Sequence, residues 1–227
     1  MPVMRLIRHA QATYGSERDA GLTELGLCQA EALDEALAQR HAPPARAGVG
    51  TLRRQADTAR ACRRSLTAAP SVTARWDEYL AVDVLEHHGD PAAQAGPGNS
   101  LGAPAAMSAR EFQAVLDGAL TAWIAAGERS PCAESWPAFQ RRALGAVHEL
   151  GATLGGGEEA WVFTSGGVIA AIGAGLLEAP PAVFLALNRV SVNSSVTTVM
   201  IGGGGTRLLT FNDHSHLEHD RVLTTFR

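Results

Sequence analysis

Short apolar segments that alternate with stretches of helical periodicity constrain this chain more than any other feature, because that alternation is the pattern of an α/β sheet. Val3–Ile7 reads as a buried strand that stops at the polar pair Arg8-His9. After a loop, Thr23 stands as an N-cap before Glu24–Arg40, where Leu25, Cys28, Ala32, Leu33, Ala36 and Leu37 fall at helical spacing until Pro43-Pro44 ends the run. Ala47–Thr51 predicts a second strand, Arg53–Leu66 a second helix and Ser71–Arg75 a third short strand. The expected fold class is therefore α/β: a three-layer α/β/α sandwich around a mostly parallel central sheet.

Glu86–Ser108 changes character, with proline and glycine among small residues and too few large apolar side chains for a core of its own. It reads as a surface insertion. Two amphipathic helices are expected next, near Ser108–Ala126 and Ser135–Leu154, and with the insertion they suggest a lid over about 86–134. Ala160–Thr164 predicts a buried strand, Ser165-Gly166-Gly167 a tight turn and Val168–Leu177 a helix, while Val192–Ile201 and Arg207–Phe211 flank Gly202–Gly205 as a hairpin. At 227 residues the chain is one large domain or two small ones.

Composition narrows the chemistry. All 19 basic residues are arginine, which excludes a Walker-type phosphate loop, a protein-kinase site and Schiff-base catalysis, since each needs a lysine. Any anion must be held by arginine, histidine or backbone N–H groups. The formal charge is −4, without a basic stripe, so neither nucleic acid nor an anionic membrane is an expected partner. Cys28, Cys62 and Cys132 are odd in number, far apart and form no C-x-x-C pair, which argues against both a disulfide framework and a structural zinc site. With no export signal in the opening residues, a cytoplasmic location is expected.

Arg8 and His9 stand where a strand ends, the edge at which open α/β sheets bind ligands. A second arginine pair, Arg53-Arg54, begins the helix after the next strand, so its first turn should face the same edge. Two guanidinium groups could then flank one anion.

The run Leu6-Ile7-Arg8-His9-Ala10-Gln11-Ala12 resembles the opening of the histidine phosphatase superfamily, the phosphoglycerate mutase-like family. The likeness continues in Leu22-Thr23-Glu24-Leu25-Gly26 with Gln29-Ala30, in Gly50-Thr51-Leu52-Arg53-Arg54-Gln55-Ala56-Asp57-Thr58-Ala59, in Trp76-Asp77-Glu78-Tyr79, and in Val162-Phe163-Thr164-Ser165-Gly166-Gly167-Val168-Ile169. The resemblance implies a single domain over 1–227 with a phosphoglycerate mutase-like fold, and a phosphatase that hydrolyses a small phosphomonoester through a phosphohistidine on His9. It implies that Arg8 and Arg54 hold the phosphoryl oxygens, that Arg53 is the variable neighbour, and that Glu78 is the proton donor. It implies further that Ser165 and Gly166, with the nearby Gly167 N–H, complete the phosphate site. No cofactor and no metal are expected, and the oligomeric state is open, a homodimer included.

Ser165 stands where the family usually carries a second histidine, so an imidazole is missing beside the nucleophile. This departure supports an alternative, a phospho-ligand binding or regulatory module with weak or no turnover; a phosphoglycerate-type mutase ranks below both. His214 and His216 in the tail are candidates for the missing role. The spacing His214-x-His216-x-x-His219 also invites a metal reading, but a fuller ligand set is not in view. A serine-hydrolase elbow at Ser165 is disfavoured because residue 163 is Phe where that motif has glycine.

Overall fold

The computed structural model describes residues 1–13, 21–90 and 109–226. Six strands form one sheet: β1 (Val3–Arg8), β2 (Arg46–Val49), β3 (Ser71–Val72), β4 (Glu159–Thr164), β5 (Val196–Gly202) and β6 (Gly205–Asp213), in the order β3-β2-β4-β1-β5-β6. The pairs from β3 to β1 are parallel, and β1–β5 and β5–β6 are antiparallel. Seven α-helices are described: α1 (Glu24–Arg40), α2 (Arg53–Ala61), α3 (Ala81–His88), α4 (Ala109–Ala126), α5 (Trp136–Gly151), α6 (Gly166–Leu176) and α7 (Ala182–Val190).

Strand alternation divides the apolar side chains between two faces. Ile7, Trp161 and Phe163 pack with Leu33 and Leu37 of α1 and Ala59 of α2. Met4, Leu6, Ala160 and Val162 face the other way, against Leu120 and Trp123 of α4, Phe139 of α5 and Ile169 of α6. Each large side chain buried this way contributes about 1.5–3 kcal/mol, and together they make the three layers expected from the sequence.

The register brings the site to one edge. Arg8 pairs with Thr164 and Val49 with Phe163, so the carboxyl ends of β1, β2 and β4 finish level. The chain passes from β1 to β2 and returns later to fill the slot between them with β4. This reversal is the kind of switch point where α/β sheets bind ligands. His9 continues the ladder through its N–H to the Thr164 carbonyl, at 2.9 Å.

Several boundaries differ from the sequence expectation, each for a local reason. α2 ends at Ala61 rather than Leu66, because the Asp34 carboxylate accepts both the N–H and the hydroxyl of Ser65 and closes a turn there. The third strand stops at Val72, since the Thr73 hydroxyl caps a short 3-10 turn over Ala74–Trp76. Residues 192–195, read as the start of a strand, turn beneath His9 instead. Ser194 takes a positive φ of 62° and donates its N–H to the His9 carbonyl at 3.3 Å. α3 and α7 do not figure in the sequence reading; both are short, and α7 follows directly on Pro180-Pro181.

The stretch read as an insertion or lid at about 86–134 divides in two. Residues 91–108 lie outside the described residues, whereas α4 sends Leu116, Leu120 and Trp123 into the main core. Among the described residues, no helix is long and apolar enough to cross a membrane.

Candidate active site

His9 emerges from the end of β1 with only 9% of its surface exposed. Its Nδ1 faces the Ala10 carbonyl at 2.8 Å and its Nε2 faces Arg54 Nε at 3.1 Å. A carbonyl only accepts and a guanidinium only donates. Nδ1 therefore carries the proton, and Nε2 presents its lone pair toward Arg54. Burial pushes the imidazole well below its ordinary pKa, with the Arg54 and Arg8 charges acting in the same direction and the Ala10 bond opposing them. The ring is held neutral, the form that can act as a nucleophile.

The two arginines reach this ring from different elements. Arg8, the last residue of β1, donates to the Ser191 carbonyl through one terminal nitrogen, and its Nε lies 3.3 Å from where a Cβ on Gly166 would stand. Arg54 is in the first turn of α2. Burial lowers the pKa of its guanidinium, with Glu78, Asp77 and Tyr79 opposing. Its neighbour Arg53 points outward to Asp57, 3.5 Å away, with a side chain 60% exposed. Only one member of the pair faces the pocket, and it is Arg54.

Glu78 approaches from the segment after β3. Its Oε2 accepts the Gly167 N–H at 2.9 Å and its Oε1 accepts the Tyr79 N–H at 3.2 Å. Burial raises its pKa above the ordinary carboxylate value, although the Gly167 bond, Arg54, the Tyr79 bond and Arg8 all favour the anion. The carboxyl group is therefore poised to carry a proton beside two arginines. A larger residue at 167 would force this carboxyl group aside, because a Cβ at that position would lie 2.1 Å from Glu78 Oε1.

Ser165 and Gly166 begin α6 beside this group. Ser165 is fully buried, and its hydroxyl accepts a bond of 2.9 Å from Gln55 Nε2, whose second hydrogen goes to the Trp76 carbonyl at 3.0 Å. The Gly167 N–H, expected to serve a phosphate, is instead taken by Glu78. One donor at this helix start thus serves the carboxyl group.

The tail histidines are not drawn into this set. His214 Nδ1 bonds the Asn212 carbonyl at 2.7 Å. His216 has its pKa lowered to about 4 by burial, and the groups acting on it are Asp213, Arg40, His214 and the backbone of Ser194. Neither Arg8, Arg54 nor Glu78 is among them. The tail contributes by another route that the sequence reading misses. Asn193, 1% exposed, donates to the His9 carbonyl at 3.2 Å, while Thr225 donates to Asn193 Oδ1 at 3.0 Å and Gln29 donates to Thr225 at 2.8 Å. Gln29 Oε1 also accepts the Gln11 N–H at 2.8 Å, and Thr58 accepts the Ala10 N–H at 3.0 Å. Of these, Gln29 and Thr58 sit inside the motifs quoted above, where they could have been found; Asn193 has no such signal. Gly26, also in a motif, lets the Gln11 carbonyl approach α1, since its Cβ would lie 2.0 Å from that oxygen.

The model of the histidine phosphatase superfamily, branch 1, matches residues 4–97 and 99–214. No curated protein matches the chain. Among solved structures, it is similar to a mycobacterial glucosyl-3-phosphoglycerate phosphatase, with 26% identity, 92% of this chain and 98% of that chain covered, and a TM-score of 0.65. It shares its fold with a phosphoserine phosphatase variant from Entamoeba histolytica, with 17% identity, coverage of 96% and 100%, and a TM-score of 0.69. It shares it also with a putative alpha-ribazole-5'-P phosphatase from Escherichia coli, with 16% identity, coverage of 94% and 98%, and a TM-score of 0.63.

Proposed function

The chain belongs to the histidine phosphatase superfamily, and on that premise we propose that it hydrolyses a small phosphomonoester through a phosphohistidine on His9. The observation that carries this reading is the state of His9: neutral, its Nδ1 proton fixed on the Ala10 carbonyl and its Nε2 lone pair facing an arginine. For attack, Arg54 exchanges its bond to Nε2 for one to a nonbridging phosphoryl oxygen. Arg8 takes another, and the two cations balance the charge on the equatorial oxygens.

Nε2 then forms the N–P bond as the P–O bond to the leaving group breaks. Glu78 gives its proton to the departing alkoxide. In the second half, the Glu78 carboxylate takes a proton from water, the water oxygen attacks phosphorus, and the N–P bond breaks to restore neutral His9. No step calls for a metal or a cofactor.

The two larger hydrophobic clusters rest on the same sheet, so we read 1–227 as one phosphatase domain. Phosphoserine and glucosyl-3-phosphoglycerate, the substrates in the names of two similar proteins, indicate the size of substrate to try first. A second reading, a phospho-ligand binding module without turnover, is favoured by one observation: Ser165 supplies a buried hydroxyl already engaged by Gln55. Release of phosphate from an aryl phosphate, measured beside His9→Ala, separates the two. Turnover lost in the variant supports the phosphatase; binding of phosphate with no turnover in either protein supports the module.

A further inference from the structure

A second cluster of reactive side chains lies outside the His9 pocket. Asp83 and His87 stand one turn apart on α3, and Cys132 lies in the segment between α4 and α5. One donor atom from each falls within 4.8 Å of the other two. Asp83 is oriented by its surroundings: Oδ2 accepts the Ala133 N–H at 2.8 Å, which leaves Oδ1 3.1 Å from His87 Nδ1, a nitrogen that also lies 2.9 Å from the Asp83 carbonyl. The Cys132 sulfur turns to the same residue, 3.7 Å from the Asp83 carbonyl. Cys132 is 9% exposed, whereas the His87 side chain is 34% exposed and gives an ion a path in.

We propose that Asp83, His87 and Cys132 form a zinc site that fastens α3 to the segment before α5. The donor set is one oxygen, one nitrogen and one sulfur. Hard magnesium or calcium would require more oxygen ligands and reject the thiolate, whereas zinc accepts all three types. Zinc bonds of about 2.0–2.3 Å in a tetrahedron place neighbouring donors roughly 3.3–3.7 Å apart, so the three side chains need to close by little more than about 1 Å. Binding releases the thiol proton, and the imidazole binds as the neutral ring, with its proton on the nitrogen that does not ligate. The Ala133 N–H on Oδ2 supplies the outer support that fixes a ligating carboxylate. Three protein ligands leave the fourth position to water.

The sequence alone cannot show this site. No metal-binding spacing joins the three residues; helix α3 and the turn before α5 bring them together. Asp83 also lines a cavity of about 310 Å³ that includes Glu78 and Tyr79, so an ion there would stiffen a wall of that cavity without touching His9.

Cobalt(II) titration of the full chain under reducing conditions tests the proposal. The expected spectrum has intense visible bands of four-coordination and a sulfur-to-cobalt charge-transfer band, both bleached by added zinc. Cys132→Ser should lose the charge-transfer band, while Cys28→Ser and Cys62→Ser keep it. Loss of outer-shell support alone weakens metal sites by about 10–100-fold, so removing a ligand with His87→Gln should weaken affinity by more than about 100-fold. Because His87 is exposed, that variant reports even if Cys132→Ser unfolds. Zinc should raise the Tm of the unmodified protein and leave that of His87→Gln unchanged. Only the weak spectrum of hydrated cobalt, or unchanged affinity in His87→Gln, would overturn the site.

Discussion

Replacing Gly167 with alanine should damage proton donation while leaving phosphate binding intact. The added Cβ meets Glu78 Oε1 at 2.1 Å and the Tyr79 ring at 2.6 Å. Tyr79 is 8% exposed and has Trp123, Phe139 and Phe184 around it, with ring centroids 5.6–6.4 Å away, so the carboxyl group must give way. It then loses its 2.9 Å bond from the Gly167 N–H and its aim at the leaving group. Overpacking of this kind costs about 1–3 kcal/mol. At about 2–4 °C per kcal/mol for a chain of this size, Tm should fall by roughly 2–12 °C, with the protein still folded at 25 °C.

The catalytic loss depends on the leaving group. A positioned general acid contributes about 10²–10⁴-fold when an alkoxide departs, and far less when an acidic phenol departs. The kcat for an alkyl phosphomonoester should therefore drop by about 10²-fold or more, and that for p-nitrophenyl phosphate by less than about tenfold. KM should change little for either, because Arg8 and Arg54 are untouched. Steady-state phosphate release on both substrates, with Glu78→Gln alongside, decides the matter. Equal losses on the two substrates, or an undiminished kcat on the alkyl ester, would refute Glu78 as the acid.

Arg54→Ala should lower kcat/KM by about 10²–10³-fold through loss of one charge-assisted donor, whereas Arg53→Ala removes only an exposed ion pair worth about 0–1 kcal/mol and should stay near wild type; comparable losses would reverse the assignment. The pH profile of kcat/KM should be bell-shaped. Its rising limb reports His9 losing its proton below the usual imidazole pKa, and its falling limb reports Glu78 losing its proton above the usual carboxylate value. Arg54→Ala should move the rising limb to higher pH, because that charge helps depress His9, and Glu78→Gln should abolish the falling limb; a profile unchanged in both variants contradicts the assignment. Asn193→Ala removes one of the two bonds on the His9 carbonyl and leaves it the longer one from the Ser194 N–H, and since a displacement near 1 Å can cost about 10² in rate, kcat should fall up to that factor with KM nearly unchanged. A loss expressed in KM alone would show that Asn193 does not position His9.

Much of this site is legible in the sequence, for a physical reason. β1, α1 and the turn at Ser165 are built by local pattern: a strand that ends at Arg8, a Thr23 cap, and glycines where Glu78 or the Gln11 carbonyl comes close. Long-range geometry is a different matter. The level carboxyl ends of β1, β2 and β4 bring Arg54 to His9, yet spacing alone says nothing of Gln55 reaching Ser165. Nor does it reveal that Asn193, near the far end of the chain, holds the His9 carbonyl. The tail histidines illustrate the converse. Their position in sequence made them candidates, but Asp213, Arg40 and Ser194 hold His216 in a buried setting of its own. α4 likewise reads as part of a cover in a Gly- and Pro-rich neighbourhood, while its Leu116, Leu120 and Trp123 form core contacts.

The central claim is a covalent phosphoryl group on His9, and its most direct test is mass analysis of the enzyme during turnover. Phosphohistidine survives base and is lost in acid, so the reaction is stopped in base, digested and the peptide bearing His9 is sequenced. The account predicts a gain of one phosphoryl group on that imidazole, formed and discharged at rates compatible with kcat, lost on acid treatment, and absent in His9→Ala together with the activity. Full turnover in His9→Ala, or a phosphoryl group carried by a different residue, would contradict it.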